Sequence, residues 1–231
     1  MGDTGDAESA PGPTPRPVST LALDGQPERA SARKHRAILA AAEEVFLRSG
    51  YLGTNMDELA ARSQVSKQTV YKHFGSKEAL FVELVTSMTD AASSTVHNEI
   101  PDAAAAADVP DYLRDYAERQ LAVVMTPRLL QLRRLVIGEV SRFPELARAL
   151  YERGPRRAMD SLAAAFARLD DRGLLRVPDP EAAASHFNWL VMGEPVNRAM
   201  LLGDAAIPDE SWRRKHVHDA VNVFLAAYGG C

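Results

Sequence analysis

From residue 33 onward, apolar side chains recur three and four positions apart, and alternating β-branched runs bounded by turn dipeptides are missing. That pattern predicts helices and no strands. The spacing places helices over 33–49, 55–62, 66–74, 77–97, 111–126, 128–142, 144–153, 156–171, 180–203 and 209–228. Gly50, Pro101, the Ala/Asp/Pro stretch 103–110, Pro127, Pro144, Gly154-Pro155, Gly173, Pro178, Pro180 and Pro208 mark the breaks. The expected fold class is all-α. A small three-helix unit over 31–76 is followed by a larger helical domain over 77–231, and no internal repeat is visible.

Within the first unit the pattern is legible residue by residue. Ile38, Ala41, Ala42, Val45 and Phe46 form one apolar stripe, and Gly50 supplies the helix stop. Thr54 is the expected N-cap of the second helix, with Asp57 completing an acidic variant of the capping box. Met56, Leu59 and Ala60 point inward. The turn Ser63-Gln64-Val65-Ser66 buries Val65 and ends on Ser66, an N-cap for the third helix. With Val70 and Phe74 inside, Lys67, Gln68, Thr69, Lys72 and His73 are left facing outward, and Tyr71 sits at the boundary.

Two short helices joined by a tight turn, the second with a polar and basic outer face, have the layout of a helix-turn-helix reader of the DNA major groove. Gln pairs bidentately with adenine, Thr meets a thymine methyl, and Lys reaches guanine acceptors or phosphates. Thr54, Ser66 and the free N–H groups of both helix starts are natural phosphate contacts, Tyr71 can offer its hydroxyl, and Lys77 is placed to clamp the backbone. A structural alternative is an ordinary helical hairpin with a solvated polar face.

Charge shifts the balance towards DNA. The chain carries a net −4, yet residues 31–81 are net +3 while 1–30 are net −3 and 82–231 net −4. Four of the five lysines (Lys34, Lys67, Lys72, Lys77) lie in or beside the candidate reader. Residues 1–30 hold five of the fourteen prolines and read as a disordered tail, in which only Arg29, with the adjoining Arg33, could serve as a minor-groove arm. The lone Cys231 rules out a disulfide framework and a cysteine-based metal cage. Neither a secretory signal, a myristoylation signal nor an apolar run of the ~18–20 residues that a span needs is present, so a cytoplasmic protein is expected. Phosphate loops, zinc-protease and nucleophile-elbow motifs are missing; no enzyme activity, cofactor or metal is expected.

Residues 33–81 resemble the N-terminal domain of the TetR/AcrR family of transcriptional regulators. The likeness is carried by Ile38-Leu-Ala-Ala-Ala-Glu-Glu-Val-Phe, Gly50-Tyr51, Thr54-Asn-Met-Asp-Glu-Leu-Ala, Val65-Ser66-Lys67, Val70-Tyr71-Lys72-His73-Phe74 and Ser76-Lys77-Glu78-Ala79-Leu80-Phe81. The departure is Gln64, where the family has Gly; if φ is positive there, Gln costs on the order of 1 kcal/mol. Arg133-Arg-Leu-Val-Ile-Gly-Glu-Val-Ser-Arg-Phe-Pro-Glu-Leu-Ala through Gly154-Pro155 also resembles the C-terminal module of AefR-like members. The resemblance implies that 77–231 binds a small-molecule effector and makes a homodimer, and that the chain is a one-component repressor of a palindromic operator. Helix 77–97 is then the expected lever between the parts.

In the larger domain, Val217, Ala220, Val221, Phe224 and Tyr228 make one apolar stripe, and Phe187, Leu190, Val191 and Leu201 another. Either is intramolecular core or part of an isologous four-helix interface supplied by 180–228, the latter being the expectation. Pro195 should kink helix 180–203. Tyr112, Tyr116, Met125, Phe166, Asn188, Trp189 and Met192 are the candidate pocket residues, with core packing as the alternative. His216 and His218, Glu139 with Arg142, and Arg213-Arg214-Lys215 read as a solvated surface, a salt bridge and a solvated helix face. Two further readings remain: an all-helical enzyme or ligand carrier with a structural hairpin, and a TetR-like architectural or activating protein without an effector.

Overall fold

The computed structural model describes Met1, residues 25–97 and residues 108–230. Its helices are α1 (Gly25–Gly53), α2 (Met56–Arg62), α3 (Lys67–Phe74), α4 (Lys77–His97), α5 (Val109–Val124), α6 (Pro127–Gly138), α7 (Pro144–Tyr151), α8 (Arg157–Asp171), α9 (Pro180–Leu202) and α10 (Glu210–Tyr228). The one β feature among the described residues is an isolated bridge between Leu175 and Gly229. Most starts are fixed by side-chain caps: Asp108, Asp179 and Asp209 each accept a hydrogen bond from the backbone N–H three residues on.

Four expected boundaries shift. The helix α1 starts at Gly25, inside the stretch read as tail, and residues 2–24 of that stretch lie outside the described residues. Gly50 does interrupt α1, with φ 69, but one more turn follows to Gly53. The helix α6 ends at Gly138 instead of 142. Gly154-Pro155 is not a break: Glu152–Arg156 forms a π turn that carries the chain from α7 into α8. The expected breaks over Pro101 and 103–107 fall outside the described residues.

Two cores organise the molecule. The first gathers Ile38, Ala42, Val45 and Phe46 of α1, Leu59 of α2, Val70 and Phe74 of α3, and Leu80, Phe81, Leu84 and Val85 of α4. Leu132 and Val136 of α6, Phe143, and Leu146 of α7 also belong to it, so the later helices help to build the core of the helix-turn-helix unit. Phe143 meets the Tyr51 ring edge-on at 4.6 Å and Phe81 at 5.7 Å. Arg128 of α6 reinforces the join through an ion pair with Glu43 of α1, its Nη2 donating to Oε2 at 2.8 Å.

The second core is built from α5, α8, α9 and α10 around Phe166, Phe187 and Phe224, whose rings lie 5.0–5.8 Å apart. Both stripes offered for a dimer interface contribute to it. Val217, Ala220, Val221, Phe224, Phe187 and Val191 are buried within this one chain, Leu190 and Tyr228 are partly buried, and only Leu201 is exposed. The 3.6-residue period had marked the inner faces of α9 and α10, whose outer faces carry His186, Trp189, Asn197, Asn222, Val223, Ala226 and Ala227.

The helix α9 runs on through Pro195 to Leu202 without interruption. Proline has no N–H, so the Val191 carbonyl one turn earlier lacks its helical donor. His216 Nε2 of α10 donates to that carbonyl at 2.9 Å. The imidazole lies flat on Trp212 at 4.8 Å, and the Arg198 guanidinium covers the indole at 5.0 Å. His216 is thus a structural donor and not the solvated side chain expected, whereas His218 is exposed.

Candidate nucleic-acid interface

The hairpin begins with a different cap from the one expected. Asn55, not Thr54, caps α2, its side chain accepting from the Asp57 N–H at 2.8 Å. Thr54 is buried and its hydroxyl donates to the Gly50 carbonyl at 2.7 Å, so it secures the end of α1 and is not presented to a phosphate. A shared side-chain preference of Thr and Asn for caps hid the one-residue shift.

The turn is a Schellman arrangement. Val65 N–H donates to Ala60 O and Gln64 N–H to Ala61 O, both at 3.1 Å. This requires a left-handed residue between them, and Gln64 takes that place with φ 56, the one positive φ outside glycine among the described residues. Ser63 Oγ adds hydrogen bonds to Leu59 O and Ala60 O at 2.9 and 3.1 Å. Ser66 caps α3 as expected, accepting from Thr69 N–H at 3.1 Å, and its hydroxyl also pairs with that of Thr69 at 2.9 Å.

Val70 and Phe74 turn inward, and Lys67, Gln68, Tyr71 and Lys72 form an exposed ridge along the opposite side of α3. Lys67 is steadied by Asp57 at 3.0 Å, while Lys72 has no hydrogen-bond or ion-pair partner among the described residues. Three residues expected to face the DNA do not stand on this ridge. Thr69 is half-buried, its hydroxyl paired with that of Ser66. His73 is half-buried and lies 6.1 Å from the His35 ring and 6.3 Å from Phe74, because residue 73 flanks the buried row on the side that α1 covers. Lys77 donates to Thr54 O at 2.7 Å and sits 5.0 Å over the Tyr51 ring. Burial, and then the nearby Arg142, hold its pKa below the usual lysine range, with Glu139 opposing. Lys77 therefore ties α4 to the α1–α2 junction and does not present itself as a free clamp.

Ion pairs stiffen the support of α3. Glu58 receives Arg48 at 2.6 Å and Arg62 at 2.9 Å, and Arg62 also reaches Glu44 at 2.9 Å. The hydrogen bond from Arg48, followed by that from Arg62, holds the Glu58 carboxyl below its ordinary pKa. Sequence reasoning missed His35, which stacks on Phe74 at 4.6 Å and meets Glu83 at 2.8 Å. Its place three residues before Ile38 on the apolar stripe was the available signal. Of the candidate minor-groove arm, Arg33 is exposed on α1, and the side chain of Arg29 lies outside the described residues.

The candidate pocket residues divide. Tyr116, Met125, Phe166, Asn188 and Met192 are buried together in the second core, and Tyr112 packs against it. Trp189 is 67% exposed on the outer face of α9 and does not join them. The group contains a residue not anticipated: Gln120 is buried, its Nε2 donates to Asn188 Oδ1 at 3.3 Å, and its Oε1 has no partner. A glutamine in register with Leu113, Tyr116 and Ala117 was the signal for it. Burial raises the Tyr116 phenol above its ordinary pKa, so it stays a neutral donor near the Ala158 carbonyl. Glu139 pairs with Arg142 at 3.8 Å, as expected from their spacing. Arg214 and Lys215 pair along α10 with Glu210 and Asp219.

A helical hairpin with a capped, outward polar ridge, keyed into a larger helical body, has the form of a helix-turn-helix DNA-binding regulator. The comparisons make the class specific. Residues 38–84 match the family described as bacterial regulatory proteins of the tetR family, and residues 111–230 match the AefR-like transcriptional repressor C-terminal domain. The chain belongs to the TetR family of transcriptional regulators. It is similar to the repressor Rv3405c of Mycobacterium tuberculosis, 29% identical over 80% of this chain and 85% of the relative. Among solved structures, a chain described as a TetR-family regulator from Mesorhizobium loti is 40% identical with a TM-score of 0.80, covering 86% of this chain and 98% of that one. The flavonoid-responsive regulator FrrA is 31% identical with a TM-score of 0.69, over the same shares. No helix among the described residues is long and apolar enough to cross a membrane.

Proposed function

We propose that this chain is a cytoplasmic, one-component repressor that binds a palindromic operator as a homodimer and leaves it when a small molecule binds. The observation that carries the reading is the Lys67–Gln68–Tyr71–Lys72 ridge, free of the protein's interior and mounted on a capped helix. A two-fold dimer would set two such ridges about 34–36 Å apart, or a multiple of it, to meet successive major grooves. The outer faces of α9 and α10, with Trp189, Val223, Ala226 and Ala227 exposed, suit the isologous contact. An effector would occupy the second core near Tyr112, Tyr116, Met125, Phe166, Asn188 and Met192, where Gln120 keeps an unmatched acceptor. The name of FrrA describes a ligand-responsive relative, which supports this part of the reading.

Binding of a ligand can move DNA affinity only by its preference for one of two arrangements. Fluorescence anisotropy with DNA flanking the gene tests the DNA half. Lys72→Ala should weaken binding; if Lys72 meets a phosphate, the slope of log K against log salt shrinks by ~0.9, and if it reads a base, sequence preference changes. Unchanged affinity and unchanged preference would count against the ridge as the reading surface.

A further inference from the structure

Three arginines on α6 invite comparison. Arg128 is matched by Glu43, and Arg134 by Asp204 at 2.5 Å and by the Ala199 carbonyl at 3.1 Å. Arg133, beside Arg134, has no carboxylate, carbonyl or ring partner among the described residues. Its helical neighbours at −4, −3 and +3 are Leu129, Leu130 and Val136. Leu129 and Val136 pack with the first core, and Leu130 belongs to the second. Residues three and four apart share a face, so Arg133 lies at the edge of the buried face of α6, between Leu130 and Val136 of the two cores, with the exposed Ile137 one turn on.

The side chain is half-buried. Burial alone, with no neighbouring charge contributing, holds its pKa below the usual arginine range. Arginine does not shed its proton in proteins, so the charge persists, partly desolvated and without a counter-ion among the described residues. An arriving anion would relieve that, and the planar fork of donors matches a carboxylate held by two parallel hydrogen bonds.

We propose that Arg133 anchors the carboxylate of a small amphipathic acid that serves as the effector, its apolar body lying towards Leu130 and the second core. This rests on the reading of the chain as an effector-responsive regulator and names the chemical class of the ligand. The same helix carries Leu132 and Val136 into the first core, so the anchored charge sits on an element that supports the DNA-reading unit.

Thermal unfolding of the full-length protein with 4-hydroxybenzoate, cinnamate, indole-3-acetate and octanoate, each beside its primary amide, tests this without DNA. At least one acid should raise the midpoint while its amide does not. Titration of that acid into R133M should show a dissociation constant higher by about tenfold or more. The unliganded R133M protein should melt at or above the wild-type midpoint, because an uncompensated charge has gone. Acids and amides acting alike, no acid acting at all, or R133M melting well below wild type would each overturn the assignment. Failure of the wild-type protein to bind operator DNA would overturn the repressor reading instead, and acid selectivity is read independently of it.

Discussion

Replacing Gln64 with glycine isolates the energetic consequence of one backbone angle. Gln64 is exposed, and its backbone alone does the structural work: φ 56 lets the Schellman hydrogen bonds from Gln64 and Val65 close on Ala61 and Ala60. A left-handed residue with a Cβ costs about 1–2 kcal/mol relative to its right-handed alternative. Glycine removes that strain but returns roughly 0.4–1 kcal/mol through the greater freedom of the unfolded chain. The expected net stabilisation is about 0.5–1 kcal/mol, which for a chain of this size raises Tm by roughly 1–4 °C. Gln64→Val is the opposite control, since a β-branched residue at positive φ should lower Tm. Calorimetry at matched protein concentration measures both, because the Tm of the proposed dimer would depend on concentration. Gln64→Gly melting below wild type, or Gln64→Val melting above it, would refute the reasoning.

Three other outcomes follow from the geometry. His216→Ala should cost about 1–3 kcal/mol by stranding the Val191 carbonyl, and much less in a Pro195→Ala background that restores the helical donor; additive effects in urea melts would sink the pairing. Trp189→Asp, on the exposed face of α9, should shift light scattering from dimer to monomer while leaving the helical circular dichroism in place; a dimer that persists places the contact elsewhere. Asp204 is held below its ordinary pKa of 3.8, chiefly by the Arg134 hydrogen bond. Its contribution is therefore present above that value and lost as pH falls through the lower folded-state pKa, so Asp204→Asn should flatten the acid limb of a stability–pH curve; an unaltered limb would contradict it.

What could be read from the sequence was what local chemistry dictates. Ser66 as a cap, Val70 and Phe74 as the buried row, and the Glu139–Arg142 pair follow from spacing within one or two turns. The misassigned residues needed distant partners to be placed. Thr54 and Asn55 are both good caps, and only the fold of α1 over Thr54 decides between them. Lys77 looks like a surface cation until Tyr51 and the Thr54 carbonyl come up beneath it. His216 reads as solvated until α9 brings a proline-orphaned carbonyl within reach. The apolar stripes of α9 and α10 were correct as stripes, but period alone does not distinguish a neighbour in the same chain from one in a second copy.

Because Leu132, Val136, Phe143 and Leu146 complete the hydrophobic centre beneath the reading helix, the head of this protein is not a detachable cartridge. A fragment ending after α4 would leave the flank of Phe81 and Tyr51 bare to water, so grafting this head onto a foreign body would need those four side chains, or substitutes for them, carried along. The same keying means that a displacement of α6 would reach the support of α3 through direct side-chain packing, a route beside the proposed lever α4.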